Sequence, residues 1–397
     1  MKRIHIMGIE GSGAQAFLGV AAGFGYEVSG CDVLTNGHNP SHIADIDILV
    51  LSPAILAKDP TNAEIASAKR QHIPVMTWPQ FVGEVLQKEK FVIAIAGTHG
   101  KSTTTAILGL MLEKGGLDPT VIVGATVKEW GKNFRVGQSK YFVIEADEYG
   151  DSFLHYKPDI AVVTVVEYDH PEYFADEAAF KKSFERFVGK IKTDGLVMKG
   201  EDITEEEMRA VDKELQISGW FNRKNAALAV RVAKTLHVSD ESIRSVLRSF
   251  TGALRRFEIK GEKTGVMIID DYAHHPTEVR ETLKAGRERF PDKRIFVVFQ
   301  PHMFTRTKVL WDDFVSAFRT APIDGGIILD IFPSREQDPG NVKSEDLVQA
   351  ISRPEVEYRK TLQDAVLWIL EKARSGDIVM TMGAGDVTEI WEMLHER

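Results

Sequence analysis

The chain has one cysteine, Cys31, which excludes an internal disulfide and any cysteine-rich metal site. That usage fits a reducing compartment, and the expectation for Cys31 is a small buried residue at a strand end. No apolar run approaches the ~18 residues a membrane span needs. The opening Met-Lys-Arg-Ile-His-Ile-Met-Gly leads into a strand and then glycines, unlike a signal peptide. Together these absences predict a cytoplasmic protein with no membrane partner. Positive charge is also short: 49 Lys and Arg against 58 Asp and Glu leave a net −9, with no basic stripe, which excludes nucleic acid as the main partner. An acidic chain can still hold anions locally, on glycine turns, helix termini and single basic residues.

Hydrophobic residues at 43% and charged residues at 27% over 397 residues describe a globular chain of two or three domains. Its centre of gravity is Phe-Val-Ile-Ala-Ile-Ala-Gly-Thr-His-Gly-Lys-Ser-Thr-Thr-Thr, residues 91–105. The apolar run reads as a buried strand and Ala106–Lys114 as a helix, so Gly97, Gly100, Lys101 and Ser102 occupy the turn. Such a turn cradles phosphate: the glycines let backbone N–H groups converge, the Lys ammonium reaches the terminal phosphates and the Ser hydroxyl can ligate Mg²⁺. It predicts ATP, in a shortened form of the phosphate-loop pattern, because Ile95 stands where the first glycine is expected.

The first domain, residues 1–88, reads as strand, Gly8-Ile9-Glu10-Gly11-Ser12-Gly13, helix and a second strand ending at Asp32. That is a Rossmann-like start whose spacing, Gly-x-x-Gly-x-Gly, departs from the dinucleotide fingerprint and speaks against a nicotinamide dehydrogenase. Gly8, Gly11, Ser12 and Gly13 are candidates for a diphosphate and Asp32 for a ribose or base, against a plain tight turn and a solvated acid. Strand 46–51, ending at Ser52, a helix over 63–71 and strand 73–76 continue a parallel sheet.

In the central domain, residues 89–252, strands 141–146 and 160–166 both end in acids, Asp147-Glu148 and Glu167-Tyr168-Asp169-His170. Ligands of open parallel sheets bind at strand C-termini, and carboxylates beside a phosphate loop suit Mg²⁺. Gly-Thr-His-Gly-Lys-Ser-Thr-Thr-Thr, Glu-Ala-Asp-Glu-Tyr-x-x-Ser-Phe and Glu-x-Asp-His resemble the muramyl peptide ligases of peptidoglycan synthesis. The likeness continues through Gly219-Trp220-Phe221-Asn222, Phe250-Thr251-Gly252-x-x-Arg255-Arg256-Phe257-Glu258, Asp270-Asp271-Tyr272-Ala273-His274-His275-Pro276-Thr277-Glu278 and Gln300-Pro301-His302-Met303-Phe304-Thr305-Arg306-Thr307.

The resemblance implies three α/β domains: a Rossmann-like UDP-sugar domain, a central ATPase-type parallel sheet and a C-terminal Rossmann-like amino-acid domain, residues 253–397. It implies ATP-driven conversion of a carboxylate to an acyl phosphate, then attack by an amine. By position, Gly97, Thr98, His99, Gly100, Lys101, Ser102 and Thr103 would hold ATP. Lys101 would bind the transferred phosphoryl group, Ser102 and Glu148 one Mg²⁺, and His170 a second. Asn222 and Arg256 would meet the nucleotide and Asp271 its ribose, while His275, His302 and Arg306 would position the amine, with structural histidines as the alternative.

Gly8, Gly11, Ser12, Gly13, Asp32 and Ser52 would border the UDP sugar. The forms around His275 and His302 point to the branch adding L-alanine to UDP-N-acetylmuramate. Phe-Val-Ile-Glu-Ala-Asp-Glu-Tyr points to the branch attaching murein tripeptide. A ligase-like scaffold that only binds nucleotide is a third reading. Phe221 replaces an expected His, Val166 an expected Asn and Met303 an expected Arg, and the stretches after Asp32 and from Ile191 to Gly219 are short. A monomer or homodimer is expected.

Overall fold

The computed structural model describes residues 1–396 and divides into two compact units. The first comprises Met1–Glu167, Glu177–Leu215 and Lys224–Phe250; the second comprises Tyr168–Asp176, Gln216–Arg223 and the chain from Thr251 on.

The first unit holds two sheets. One is wholly parallel, in the order β2-β1-β3-β4: β1 (Arg3–Met7), β2 (Glu27–Cys31), β3 (Ile48–Leu51) and β4 (Val75–Thr77). Helix α1 (Ser12–Gly23) connects β1 to β2, and α2 (Ala63–Arg70) precedes β4. On one face Met7, Cys31, Leu49 and Leu51 pack with Ile65 and Ala68 of α2, as the two-residue period of a strand requires.

The second sheet runs β10-β9-β5-β8-β6-β7, with β5 (Phe91–Ala96), β6 (Thr120–Val127), β7 (Lys132–Arg135), β8 (Tyr141–Glu145), β9 (Ile160–Val163) and β10 (Leu196–Lys199). The loop after β5 thus opens between the C-terminal ends of β9 and β8, where ligands of such sheets sit. It feeds α3 (Lys101–Lys114), whose residues from Ser102 to Leu112 are all buried. The charged stretch 201–214 forms the exposed helix Glu205–Asp212, started by a Thr204–Glu207 capping box.

The second unit is built on β11 (Glu258–Lys263), β12 (Val266–Asp271), β13 (Ile295–Phe299), β14 (Gly325–Ile328), β15 (Val356–Tyr358) and β16 (Ile378–Met382), in the order β11-β12-β16-β13-β14-β15. Helix α4 (Pro276–Arg289) follows β12. Apolar clusters line both faces, one around Phe299, Phe314 and Met380 and the other around Val298, Ile327 and Trp368.

The parallel sheets expected for the central and C-terminal regions each carry one antiparallel edge strand, β7 against β6 and β11 against β12. Thr264 and Gly265, both at positive φ (52° and 80°), make the two-residue turn that folds β11 back on β12. The helix after the phosphate loop begins at Lys101, five residues before the apolar pattern starts, because Gly100 in the left-handed region (φ 81°) is its N-cap.

Candidate active site

The loop Gly97–Gly100 is shaped by neighbours that leave no space for side chains. Gly97 (φ 137°) has Thr164 Oγ1 only 2.0 Å from where a Cβ would stand, and at Gly100 Asn225 Oδ1 would lie 2.3 Å away. Thr164 Oγ1 donates to the carbonyls of Ala96 and His99. Thr98 N donates to Val165 O (2.8 Å), Thr98 Oγ1 to Glu167 O (2.7 Å), and His99 Nε2 lies 3.2 Å from Glu167 Oε2. The loop is therefore fixed to the end of β9 before any ligand arrives.

Lys101 opens α3 and turns back over the loop. Its Nζ donates to Gly97 O (2.6 Å), Thr98 O (3.4 Å) and both oxygens of Glu148 (2.9 and 2.8 Å). Burial works against this ammonium, but the carboxylate of Glu148, with Asp147 and Glu145 near, outweighs it and raises the pKa above the usual lysine value. Ser102 Oγ donates to Glu145 Oε1 (2.9 Å), whose other oxygen accepts from Gly124 N (2.5 Å). Thr103, Thr104 and Thr105 are buried along α3; the last two pack their hydroxyls into the interior. One lysine, one hydroxyl and two carboxylates thus converge at a helix N-terminus: a phosphate-sized anion finds the amides and ammonium, and a hard divalent cation finds oxygen donors.

The first sheet places its candidates at one turn. Gly8 (φ 85°) lies so close to Ser52 that a Cβ would meet Ser52 Cβ at 2.8 Å, and a Cβ on Gly13 would meet the Trp78 ring at the same distance. Gly11 is the N-cap of α1, with no side chain closing its first turn. Ser12 O accepts from Asn133 Nδ2 (2.8 Å). Asp32 is buried rather than solvated, accepting from Leu34 N (3.1 Å) and Glu10 N (3.3 Å).

In the second unit Arg306 is 2% exposed and forms a buried ion pair with Asp169: Nε to Oδ1 2.7 Å, Nη2 to Oδ2 3.4 Å. Burial opposes the Asp169 charge, yet the guanidinium holds its carboxyl well below the ordinary range. Arg306 Nη1 donates to His302 Nδ1 (3.1 Å). A guanidinium cannot accept, so the proton of neutral His302 lies on Nε2. Burial, with His274 and Arg306 adding to it, lowers the His302 pKa to about 3. Burial likewise brings His274, 5.9 Å away ring to ring, to about 4 despite Glu278.

His275 caps α4, its Nδ1 accepting from Thr277 N (3.3 Å) and its Nε2 facing Tyr168 O (3.3 Å), so both ring nitrogens serve the backbone. Asp271 accepts from Phe257 N (2.7 Å) and Ala273 N (2.8 Å), and burial, against Arg256 and these bonds, raises it to about 6. The Arg256 guanidinium lies over the Tyr272 ring (5.2 Å). Asn222 donates to Ser218 O (2.7 Å), Phe221 meets Trp220 edge-on (5.1 Å), and His170 Nδ1 pairs with Glu172 Oε1 (3.2 Å). Buried Met303 holds a left-handed φ of 71° immediately after His302.

Sequence reasoning missed Glu145 as the partner of Ser102, Asn225 and Thr164 as walls of the loop, and Asp169 as the counter-ion of Arg306. The signal for Asp169 was present, since Glu-x-Asp-His carries two acids and neither had been given a role.

Comparison with known proteins places these residues in context. Residues 3–90 match the model described as Mur ligase family, catalytic domain; residues 95–262 match the Mur ligase middle domain; residues 255–385 match the Mur ligase, glutamate ligase domain. A UDP-N-acetylmuramate--L-alanine ligase of Caldanaerobacter subterraneus is 36% identical over an alignment of 454 residues, covering 100% of this chain and 97% of that protein. One of Acetivibrio thermocellus is 34% identical, covering 99% and 95%. An alignment longer than the chain itself means that the shortening is internal. Among solved structures, the UDP-N-acetylmuramate-alanine ligase of Thermotoga maritima shares the fold with a TM-score of 0.80 at 22% identity, covering 100% of this chain and 99% of that one. Three consecutive domain matches and full-length identity above 30% carry one conclusion: the chain belongs to the Mur ligase family.

Proposed function

We propose that this chain joins L-alanine to UDP-N-acetylmuramate, with residues 1–88 taking the UDP sugar, 89–252 the ATP and 253–397 the amino acid. The chain is an ATP-dependent ligase of peptidoglycan precursor synthesis. The observation that carries the finer reading is the Lys101 ammonium, strapped over a glycine loop at the head of a buried helix.

In this reading the muramate carboxylate attacks the terminal phosphorus of ATP, ADP leaves, and the amine then displaces phosphate from the acyl carbon. Lys101 exchanges Glu148 for the transferring phosphoryl group, whose oxygens gain charge in the transition state. Mg²⁺ fits the oxygen donors of Ser102 and Glu148, with His170 proposed at a second ion; it would offset charge on the phosphate oxygens. Gly97, Thr98, His99, Gly100 and Thr103 form the phosphate wall, Asn222 and Arg256 face the nucleotide, and Asp271 its ribose. Gly8, Gly11, Ser12, Gly13, Asp32 and Ser52 border the UDP sugar.

Arg306 is engaged with Asp169, so it acts by orienting His302, and His302, carrying its proton on Nε2, is a hydrogen-bond donor and not a base. His275 positions the start of α4. No helix among the described residues is long and apolar enough to cross a membrane. We place the enzyme in the cytoplasm, as a monomer or homodimer.

The test is phosphate release from ATP with UDP-N-acetylmuramate and either L-alanine or murein tripeptide as amine. Turnover with L-alanine is expected. Turnover with tripeptide alone would reassign the amine, and nucleotide binding without phosphate release under either amine would remove the ligase reading.

A further inference from the structure

Away from the phosphate loop, the first sheet carries a cluster that nothing above uses. His5 from β1, Cys31 from the end of β2, His42 from the turn Pro40–Ile43 and Glu64 from α2 bring one ligand atom each to within 4.8 Å of all the others. The elements meet there because His5 shares the face of β1 that carries Met7, the face on which α2 packs. We propose that these four side chains form a binding site for a divalent transition-metal ion of the zinc type.

Three observations support it. The Glu64 carboxylate stands at coordination-shell distances from the other three: Cys31 Sγ to Oε1 is 3.4 Å, His42 Nδ1 to Oε1 is 3.0 Å and His5 Nε2 to Oε2 is 3.8 Å. A tetrahedron with bonds of 2.0–2.3 Å spaces its corners by about 3.5 Å.

Next, Ser29 Oγ lies 2.9 Å from His5 Nδ1 and 3.4 Å from Ile4 O. With its one proton on Ile4 O, this hydroxyl accepts from His5 Nδ1. The lone pair of Nε2 therefore points into the cluster, where that atom is buried without a hydrogen-bond partner, on a residue 3% exposed. An outer group that orients a histidine in this way is what ligating imidazoles need.

Finally, Glu64 is fully buried, and among the described residues no lysine or arginine pairs with it; its partners are Asn39 N, Cys31 and the imidazoles of His5, His38 and His42. A carboxylate and an imidazole lone pair facing each other out of water are both acceptors, and a cation satisfies both. The mixed nitrogen, sulfur and oxygen set favours zinc over magnesium or calcium. His38 Nδ1, 3.2 Å from the sulfur, backs the thiolate, and His42, 24% exposed, marks the way in from solvent. On binding, the Cys31 proton leaves to the buffer and four protein atoms complete the ion's shell, which makes the site structural.

The experiment titrates tag-free full-length protein, stripped by chelator, with Co²⁺ and then Zn²⁺. The expected result is one equivalent of cobalt with tetrahedral d–d bands and a thiolate-to-cobalt charge-transfer band, displaced by zinc, with zinc protecting Cys31 from a thiol reagent. Cys31→Ser should abolish the charge-transfer band; Ser29→Ala should weaken zinc on the order of tenfold or more. His42→Ala, at the rim, keeps the test valid if a buried variant fails to fold, and it should weaken zinc as well. Absence of a charge-transfer band in the unaltered protein, or zinc affinity indifferent to His42→Ala, would overturn the assignment. None of these readouts depends on ligase activity.

Discussion

Replacing Gly97 by alanine probes the geometry on which the nucleotide reading depends. At φ 137° an L-residue is strained by about 1–3 kcal/mol. The new Cβ would also stand 2.0 Å from Thr164 Oγ1, 3.0 Å from Val165 O and 3.1 Å from Thr164 N. Thr164 cannot swing aside without losing its bonds to Ala96 O and His99 O, about 1 kcal/mol each. Together the cost is about 3–5 kcal/mol, and it falls on the loop proposed to receive phosphate. Gly116→Ala is the control: its φ is also positive, 76°, but nothing lies within 4 Å, so only about 1–2 kcal/mol is expected. Urea denaturation of both variants, with ATP affinity by calorimetry, separates the two contributions. Equal shifts in midpoint, or unaltered ATP affinity in Gly97→Ala, would refute the argument that neighbouring atoms leave room only for glycine.

Lys101→Ala should lower phosphate release by about 10²–10³-fold or more at saturating ATP, as removal of a charge from a developing anion does; a steady-state assay reads it directly. Arg306→Ala strands Asp169 in the interior and should destabilise the second unit by about 3–5 kcal/mol. Adding Asp169→Asn should recover part of that loss in a denaturation experiment. For pH, His302 and His274 titrate at about 3 and 4 when folded against 6.5 when free, so their contribution is full above pH 6.5 and is lost as the unfolded chain takes up protons first. By pH 5 this amounts to about 2 kcal/mol each, while Asp271, raised to about 6, has the opposite sign and returns about 1 kcal/mol. The urea midpoint should therefore fall between pH 7 and 5, less steeply in His302→Gln; a rise on acidification would contradict the assignment.

Where a strand is apolar throughout, as in Phe91–Ala96, the sequence alone placed it, because such a run has no stable place except the middle of a covered sheet. Lys132–Arg135 and Glu258–Lys263 escaped notice for the converse reason. They are edge strands, half solvated, whose polar residues carry no period to read. The turn between β5 and α3 was legible since its signal is local, the six consecutive residues Gly97 to Ser102. Its supports were not, since Glu145 and Asn225 reach it only after folding. Within the second unit the Arg306–Asp169 pair was equally hidden, because it joins positions 137 residues apart. Of the two expectations for Asp32, the solvated acid does not hold: the residue is buried and its carboxylate accepts from backbone amides two residues on and in the neighbouring turn, bonds that only the folded chain reveals.

A helix enclosed on every side, as α3 is from Ser102 to Leu112, has no free flank along which to slide or tilt. If nucleotide binds as proposed, its arrival is answered by rotamers at the helix mouth, chiefly Lys101 letting go of Glu148, while the cylinder behind stays still. Such a mount opens only with the surrounding core, and the amide protons of this segment should be among the slowest in the chain to exchange with deuterium, with nucleotide or without.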